Sequence, residues 1–139
     1  MNERKIIIAH NNRKFIENAV LFFSDNNRYI IDKIVKTGEE LLKIKKLDDY
    51  QIVIVKDALA EVSGLYALRK LLENANKYPD HILLITPFLS KFVLDSCDKF
   101  GITPVSNIKA SMEDLYKIIY KQEIEKDFKD KKVFNLEEE

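Results

Sequence analysis

Short apolar runs alternate with longer segments of helical period along the chain, and this alternation limits the fold more than any other feature. Several runs are apolar at consecutive positions, which predicts strands that are buried on both faces. Strands and helices in alternation predict a doubly wound α/β domain, with a parallel sheet and helices on both faces. The five predicted strands are Lys5 to Ala9, Tyr29 to Val35, Gln51 to Val55, His81 to Thr86 and Thr103 to Asn107.

The segments between the strands carry signals for helix starts and stops. Asn12, Thr37 and Ser63 are suited to N-cap positions, and Ser111 with Asp114 resembles a capping box. Gly101 is expected to end a fourth helix that starts near Leu89. Apolar residues three and four positions apart predict the buried faces of the first two helices: Phe15, Ile16, Ala19, Val20 and Phe23, then Leu41, Leu42, Ile44 and Leu47.

Composition narrows the class of protein. With 139 residues, of which 46% are apolar, the chain can form one domain with one core. The 23 basic and 23 acidic residues cancel, so no net charge favours nucleic acid or a membrane surface. The N-terminus has no signal-peptide core and no apolar run is long enough to span a bilayer. Together with the single cysteine, Cys97, these features predict a cytoplasmic protein.

In a doubly wound sheet, ligands bind beyond the carboxyl ends of the strands. The residues there are His10-Asn11-Asn12, Lys56-Asp57, Thr86-Pro87 and Ile108-Lys109. The chain has only three glycines, and no glycine-rich loop follows the first strand, which argues against a nucleotide-binding loop. No cofactor is therefore expected.

Four passages together resemble the receiver domain of two-component response regulators, the sporulation-type regulators in particular. They are Lys5 to Arg13, Ile52 to Gly64, Ile82 to Pro87 and Gly101 to Leu115, within a match that covers Lys5 to Tyr120. The resemblance implies a flavodoxin-like (CheY-like) fold with strand order 2-1-3-4-5, and a role in phosphorelay signalling.

Carried over by position, however, the receiver's signature residues are mostly replaced. The two magnesium-binding carboxylates fall on His10 and Asn11, and the phosphoacceptor falls on Lys56. Only the switch hydroxyl is retained, as Thr86. The fifth-strand lysine falls on Ile108, with Lys109 one place along, and the aromatic switch position falls on Val105. The resemblance thus implies a degenerate pseudo-receiver that binds no metal, has no catalytic residue and is not an enzyme.

Two other interpretations of the same residues stay open. Asp57 adjoins Lys56, so a one-residue slip could bring its carboxylate to the pocket, although side chains alternate across a strand and a slip normally points them away. Alternatively, His10, Lys56 and Thr86 could bind a small anion at the carboxyl ends of the strands. Cys97 is expected to pack in the core, because no acidifying neighbour is evident.

The C-terminal region bears on the domain bounds and on the class of binding partner. Residues 1–122 are expected to form the receiver-like domain, and residues 123–139 a charged C-terminal helix extension or tail. No DNA-binding helix-turn-helix fits after it, so the chain is either a stand-alone protein or a fragment, with protein partners and no direct contact with nucleic acid or membrane. A homodimer could form through the fourth helix, fifth strand and last helix, with contributions from Lys91, Phe92, Asp95, Lys99, Tyr116 and Tyr120.

Overall fold

The computed structural model describes residues 4–25, 28–107 and 110–138, with side chains described as far as Asp127. Among these residues, five strands and five α-helices alternate, with a short 3-10 helix at Leu47–Asp49. The strands are β1 (Arg4–Ala9), β2 (Tyr29–Val35), β3 (Ile52–Lys56), β4 (His81–Thr86) and β5 (Thr103–Ser106). The helices are α1 (Arg13–Ser24), α2 (Gly38–Leu42), α3 (Gly64–Glu73), α4 (Lys91–Phe100) and α5 (Met112–Glu138).

All neighbouring strands pair in parallel, in the order β2-β1-β3-β4-β5. The core has two layers, one on each face of the sheet. Ile52 and Ile54 of β3 pack with α1 and α5, whereas Val53 and Val55 pack with α2, α3 and α4. The predicted flavodoxin-like, doubly wound fold with strand order 2-1-3-4-5 is therefore confirmed.

Polar side chains fix where the helices begin. Asn12, Thr37, Ser63 and Ser90 each accept a hydrogen bond from a backbone N–H in the first turn of α1, α2, α3 and α4 respectively. Gly101 ends α4 in the left-handed region, at φ 68°, where a side chain would be strained. Three of these N-caps, Asn12, Thr37 and Ser63, are confirmed predictions.

Some sequence expectations are wrong in detail. The second helix stops at Leu42, so Ile44 lies in a turn and Leu47 opens the 3-10 helix. Val20 of α1 is exposed, because the inner face of that helix is carried by Ala19 and Phe23. The fourth helix begins at Lys91, because the Ser90 side chain caps it.

The last helix is the longest element of the chain. Ser111 accepts a hydrogen bond from the backbone N–H of Asp114 and donates one to its carboxylate, as the capping box predicted. From there α5 continues as one helix through Glu138. The helix runs across the domain boundary expected between residues 122 and 123, and that boundary stays a prediction. Within the described part of the chain, no helix is both long and apolar enough to cross a bilayer.

Candidate functional site

The carboxyl ends of β1, β3 and β4 bring the predicted pocket residues to one edge of the sheet. The Lys56 Nζ atom donates a hydrogen bond to Asn11 Oδ1 at 2.9 Å. The Asn11 amide in turn donates to the backbone oxygen of Ala58 at 3.4 Å. The lysine and the asparagine therefore bind each other across β1 and β3 and hold the loop that follows β3.

His10, at the end of β1, is buried, with 6% of its surface exposed. Its Nδ1 atom accepts a hydrogen bond from the backbone N–H of Asn12 at 3.0 Å, and its ring stacks on Phe15 with centroids 4.0 Å apart. Burial, together with the nearby charge of Lys56, lowers the pKa of His10 from 6.5 to about 4. At pH 7 the imidazole is therefore neutral, with its proton on Nε2, and it packs against Phe15 at the start of α1.

Thr86, at the end of β4, is buried and satisfied by local hydrogen bonds. Its hydroxyl lies 3.2 Å from the backbone oxygen of Phe88, to which it donates, and 3.3 Å from the backbone N–H of Phe88, from which it accepts. The hydroxyl thus closes the turn after β4.

Asp57 follows Lys56 in sequence, but its carboxylate has a different partner. The backbone N–H of Asp57 donates to Ile85 at 2.8 Å, which extends the pairing between β3 and β4. Its Oδ1 atom accepts a hydrogen bond from the backbone N–H of Leu65 at 3.0 Å, in the first turn of α3. There the carboxylate satisfies a free helix N–H and interacts favourably with the helix dipole.

The alternation of side chains along β3 explains these different directions. Lys56 has the parity of Ile52 and Ile54, whose side chains pack on the α1 and α5 side. Asp57 has the parity of Val53 and Val55, on the α3 side. The structure therefore brings His10, Asn11 and Lys56 together and directs Asp57 toward α3.

Three further pocket positions belong to the end of β5. Val105 is buried in the core layer beneath α1 and α5. Ile108 and Lys109 lie outside the described residues, so their predicted places in the pocket stay predictions.

The residues of the pocket do not fit the magnesium ion that the receiver resemblance implies. Magnesium is normally held by one or two carboxylates with waters and phosphate oxygens. Here the Asn11 oxygen accepts from the Lys56 ammonium, and the His10 imidazole is buried. The Asp57 carboxylate, next to Lys56 in sequence, is hydrogen-bonded to the first turn of α3. Among the residues that the structure describes, no group of three His, Cys, Asp or Glu side chains is placed to hold a metal ion.

The predicted interface residues lie on both sides of the sheet. Phe92 of α4 is 64% exposed, and the Arg69 guanidinium of α3 lies 5.8 Å from its ring. Tyr116 of α5 instead packs against Phe22 of α1, with ring centroids 5.3 Å apart, and stacks on Tyr120 at 6.3 Å. The other predicted members, Lys91, Asp95 and Lys99, are exposed on α4.

A polar cleft of about 710 Å³ lies at the opposite edge of the sheet, among the amino ends of the strands. Arg4, at the start of β1, forms ion pairs with Asp80, at 3.0 Å, and with Glu123 of α5. Sequence reasoning missed this cluster. Its members lie more than 40 positions apart along the chain, so no local pattern joins them.

His81, the second histidine, opens β4 in this cleft and is buried. Its Nδ1 atom lies 2.7 Å from Gln122 Oε1, and its Nε2 atom lies 3.3 Å from Glu123 Oε1. The Gln122 amide also donates to Thr103 at 2.8 Å, at the start of β5. The network attaches α5 to the sheet. His81 and His10 lie at opposite edges of the sheet, because His81 opens β4 and His10 follows the end of β1.

Comparison with known proteins identifies this fold with the receiver domains of response regulators. No family model matches the chain, and no curated protein matches it in sequence. Solved structures do match. One is a two-component response regulator of the LuxR family from Aurantimonas sp. SI85-9A1, at 14% identity and a TM-score of 0.68, covering 87% of this chain and 86% of that one.

Two other solved structures have a similar fold. A DNA-binding response regulator of the LuxR family from Staphylococcus aureus is 19% identical, with a TM-score of 0.64, and 86% of this chain covers 98% of that one. An adenylate cyclase from Rhodopirellula baltica is 12% identical, with a TM-score of 0.66 and 98% of each chain covered. At these identities the matches show the receiver fold alone, and likeness to the sporulation type stays a prediction.

Proposed function

We propose that this protein is a noncatalytic, receiver-like module of two-component signalling that acts through protein contacts and is not phosphorylated at the usual position. One observation carries the proposal: the Lys56 ammonium stands at the end of β3 and is hydrogen-bonded to Asn11 Oδ1 at 2.9 Å. In the receiver resemblance these two positions belong to the phosphoacceptor and to a magnesium ligand. Here the lysine cannot accept a phosphoryl group, and the asparagine oxygen is already bound to the ammonium.

Electrostatics supports this proposal. At about 4 Å and an effective dielectric constant of ~20, a lysine repels a divalent cation by several kcal/mol. Phosphoryl transfer depends on a metal and positioned charges to neutralise the transferred group, and an ammonium engaged by an amide offers no nucleophile. The pocket therefore favours one arrangement, in which the Lys56 hydrogen bond takes the place of a phosphorylation-dependent switch.

A module of this kind works as a constitutive docking unit in the cytoplasm. Its partners are other signalling proteins, and the exposed Phe92 with its neighbours on α4 offers one contact surface. Catalysis is not part of the proposal, and the activity named for the Rhodopirellula baltica match is a property of that protein. Direct contact with nucleic acid or a membrane is not part of it either.

The alternative function, binding of a small anion at the carboxyl ends of the strands, has weaker support. Such a site needs donors that can turn to the ligand. The Lys56 ammonium already donates to Asn11, and the Thr86 hydroxyl donates to a backbone oxygen. An anion would have to displace both bonds.

Labelling with acetyl phosphate, followed by intact-mass analysis, tests the proposal. With magnesium present, the full chain is expected to gain no stable phosphoryl group. Asp57→Asn is the matched control, because it removes the carboxylate adjacent to Lys56 and retains an oxygen that can accept from Leu65. A phosphoryl adduct on the unmodified chain that this variant lacks would show that the proposal is wrong.

A thermal-shift titration with inorganic phosphate separates the alternative from the main proposal. The docking module predicts no saturable increase in the melting temperature. A saturable increase that Lys56→Ala abolishes would instead establish the anion site.

A further inference from the structure

The face of α5 that points away from the sheet carries a regular pattern of exposed residues. The inner face of the helix is buried through Met112, Leu115 and Ile119. The outer positions follow one another at spacings of four and three, which is the a/d repeat of a helix that packs along a second helix. We call them the outer seam: Glu113, Lys117, Tyr120, Ile124 and Asp127, all of them exposed.

The middle of the outer seam is apolar. Tyr120 is 55% exposed and Ile124 is 49% exposed. Next to them, α1 adds Phe22 and Leu21, which is 69% exposed, and Phe22 is joined to Tyr120 through the ring of Tyr116. An apolar patch that extends over two helices and is bordered by charges is typical of a protein contact surface.

The charges of the outer seam are complementary when the seams of two copies run antiparallel. In an antiparallel helix pair, each a position faces a d position of the other helix. Centring the pair on residue 122 places Tyr120 against Ile124 of the second copy, and Lys117 against Asp127 of the second copy, twice each by symmetry. In a parallel pair Lys117 would instead face Lys117, and Asp127 would face Asp127, which is repulsive.

The network at the amino ends of the strands fixes the rotation of α5 about its axis. Glu123 is paired with Arg4 and lies beside His81, which also contacts Gln122. These contacts direct Gln122 and Glu123 toward the domain, so Tyr120 and Ile124 point outward. The outer seam is therefore presented in a fixed orientation, with little ordering left to occur on association.

We propose that the outer seam of α5 binds a second copy of this chain, antiparallel, around a two-fold axis near residue 122. The contact is isologous: the same patch serves both subunits, with Leu21 and Phe22 of α1 along its border. The helix from Glu113 to Asp127 supplies a strip of about 20 Å at 1.5 Å per residue, long enough for the apolar pair and both charged pairs. This inference goes beyond the proposed function, because it does not depend on the phosphorylation pocket.

Sedimentation equilibrium of the full chain with charge-reversed variants tests the proposal. The unmodified chain is expected to dimerise with rising concentration. Lys117→Glu and Asp127→Lys, each alone, are expected to weaken the dimer about tenfold or more, because each creates two like-charge contacts. The double variant restores opposite charges in the antiparallel register and is expected to return the affinity to within about threefold.

Glu125→Lys is the matched control, an exposed charge reversal on α5 away from the outer seam. It should leave the affinity unchanged. Circular dichroism and the melting temperature show whether each variant stays folded, since all three substituted positions are exposed. A chain that stays monomeric at hundreds of micromolar, or a double variant that fails to recover, would overturn the proposal; another protein covering the seam would then be the remaining explanation.

Discussion

Moderate acid is expected to destabilise the fold through one buried side chain, His10. Burial and the Lys56 charge lower its pKa from 6.5 to about 4 in the folded chain. Between these two values the unfolded chain binds a proton that the folded chain does not. Stability is therefore lost as the pH falls through this window, and the loss stops below about pH 4, where both states are protonated.

The size of the effect follows from the two pKa values. A tenfold difference in proton affinity is equivalent to about 1.4 kcal/mol. The full interval between 6.5 and about 4 corresponds to about 3 kcal/mol, of which about 2 kcal/mol is lost between pH 7 and pH 5. That is a large part of the total stability of a domain of this size.

The assay is urea unfolding at several pH values between 7 and 5, comparing the unmodified chain with His10→Gln. Glutamine does not titrate, and its side-chain oxygen can still accept from the Asn12 N–H that His10 binds. All other side chains are common to both chains, so their contributions cancel in the difference. The stability of the unmodified chain relative to the variant is expected to fall by about 2 kcal/mol over this range.

The reasoning would be refuted if the free energy of unfolding changed with pH by the same amount in the unmodified chain and in His10→Gln. Such a result would mean that His10 binds a proton equally well in the folded and unfolded chain. The ring would then be hydrated rather than closed against Phe15, and the pocket would not hold Lys56 beside a neutral imidazole.

Two further predictions concern the connection after β3 and the single thiol. Gly64→Ala is expected to destabilise the domain by about 2 kcal/mol in urea unfolding, because the added Cβ would stand 2.3 Å from the Lys56 carbonyl oxygen; unchanged stability would mean that α3 can move away from β3. Cys97 is buried, and burial followed by the charge of Asp57 raises its pKa to about 11, so its reaction with a disulfide reagent at pH 8 should be at least a hundredfold slower than in the urea-unfolded chain. Equal rates in the two states would contradict that burial.

The positions of the strands along the chain and most helix starts could be predicted from sequence because their signals are local, whereas the strand order came from the receiver resemblance. A run of consecutive isoleucines and valines fits a strand covered on both faces, and a Ser or Asn before a helical pattern satisfies its first N–H groups. The second helix was harder to predict. Ile44 and Leu47 continue the helical spacing, yet the structure closes the chain into a turn and a 3-10 helix, which tertiary packing decides.

The candidate site could be predicted in its composition but not in its contacts. Topology alone brings His10, Asn11 and Lys56 to one edge of the sheet. Which acceptor Lys56 takes depends on distances across two strands, and the structure gives Asn11. The network that joins Arg4 and His81 to Glu123 could not be predicted, because it depends on how α5 lies against the sheet.

The packing of β3 also argues against a register slip that would return a carboxylate to the pocket. If β3 shifted so that Asp57 took the place of Lys56, Ile52 and Ile54 would exchange core layers with Val53 and Val55. The shift would also remove the carboxylate from the Leu65 N–H and turn the ammonium toward the apolar layer beneath α3, where an unpaired charge is costly. Asp57 cannot take the place of Lys56 unless every side chain of β3 changes face, so the packing of the core holds Lys56 at this position.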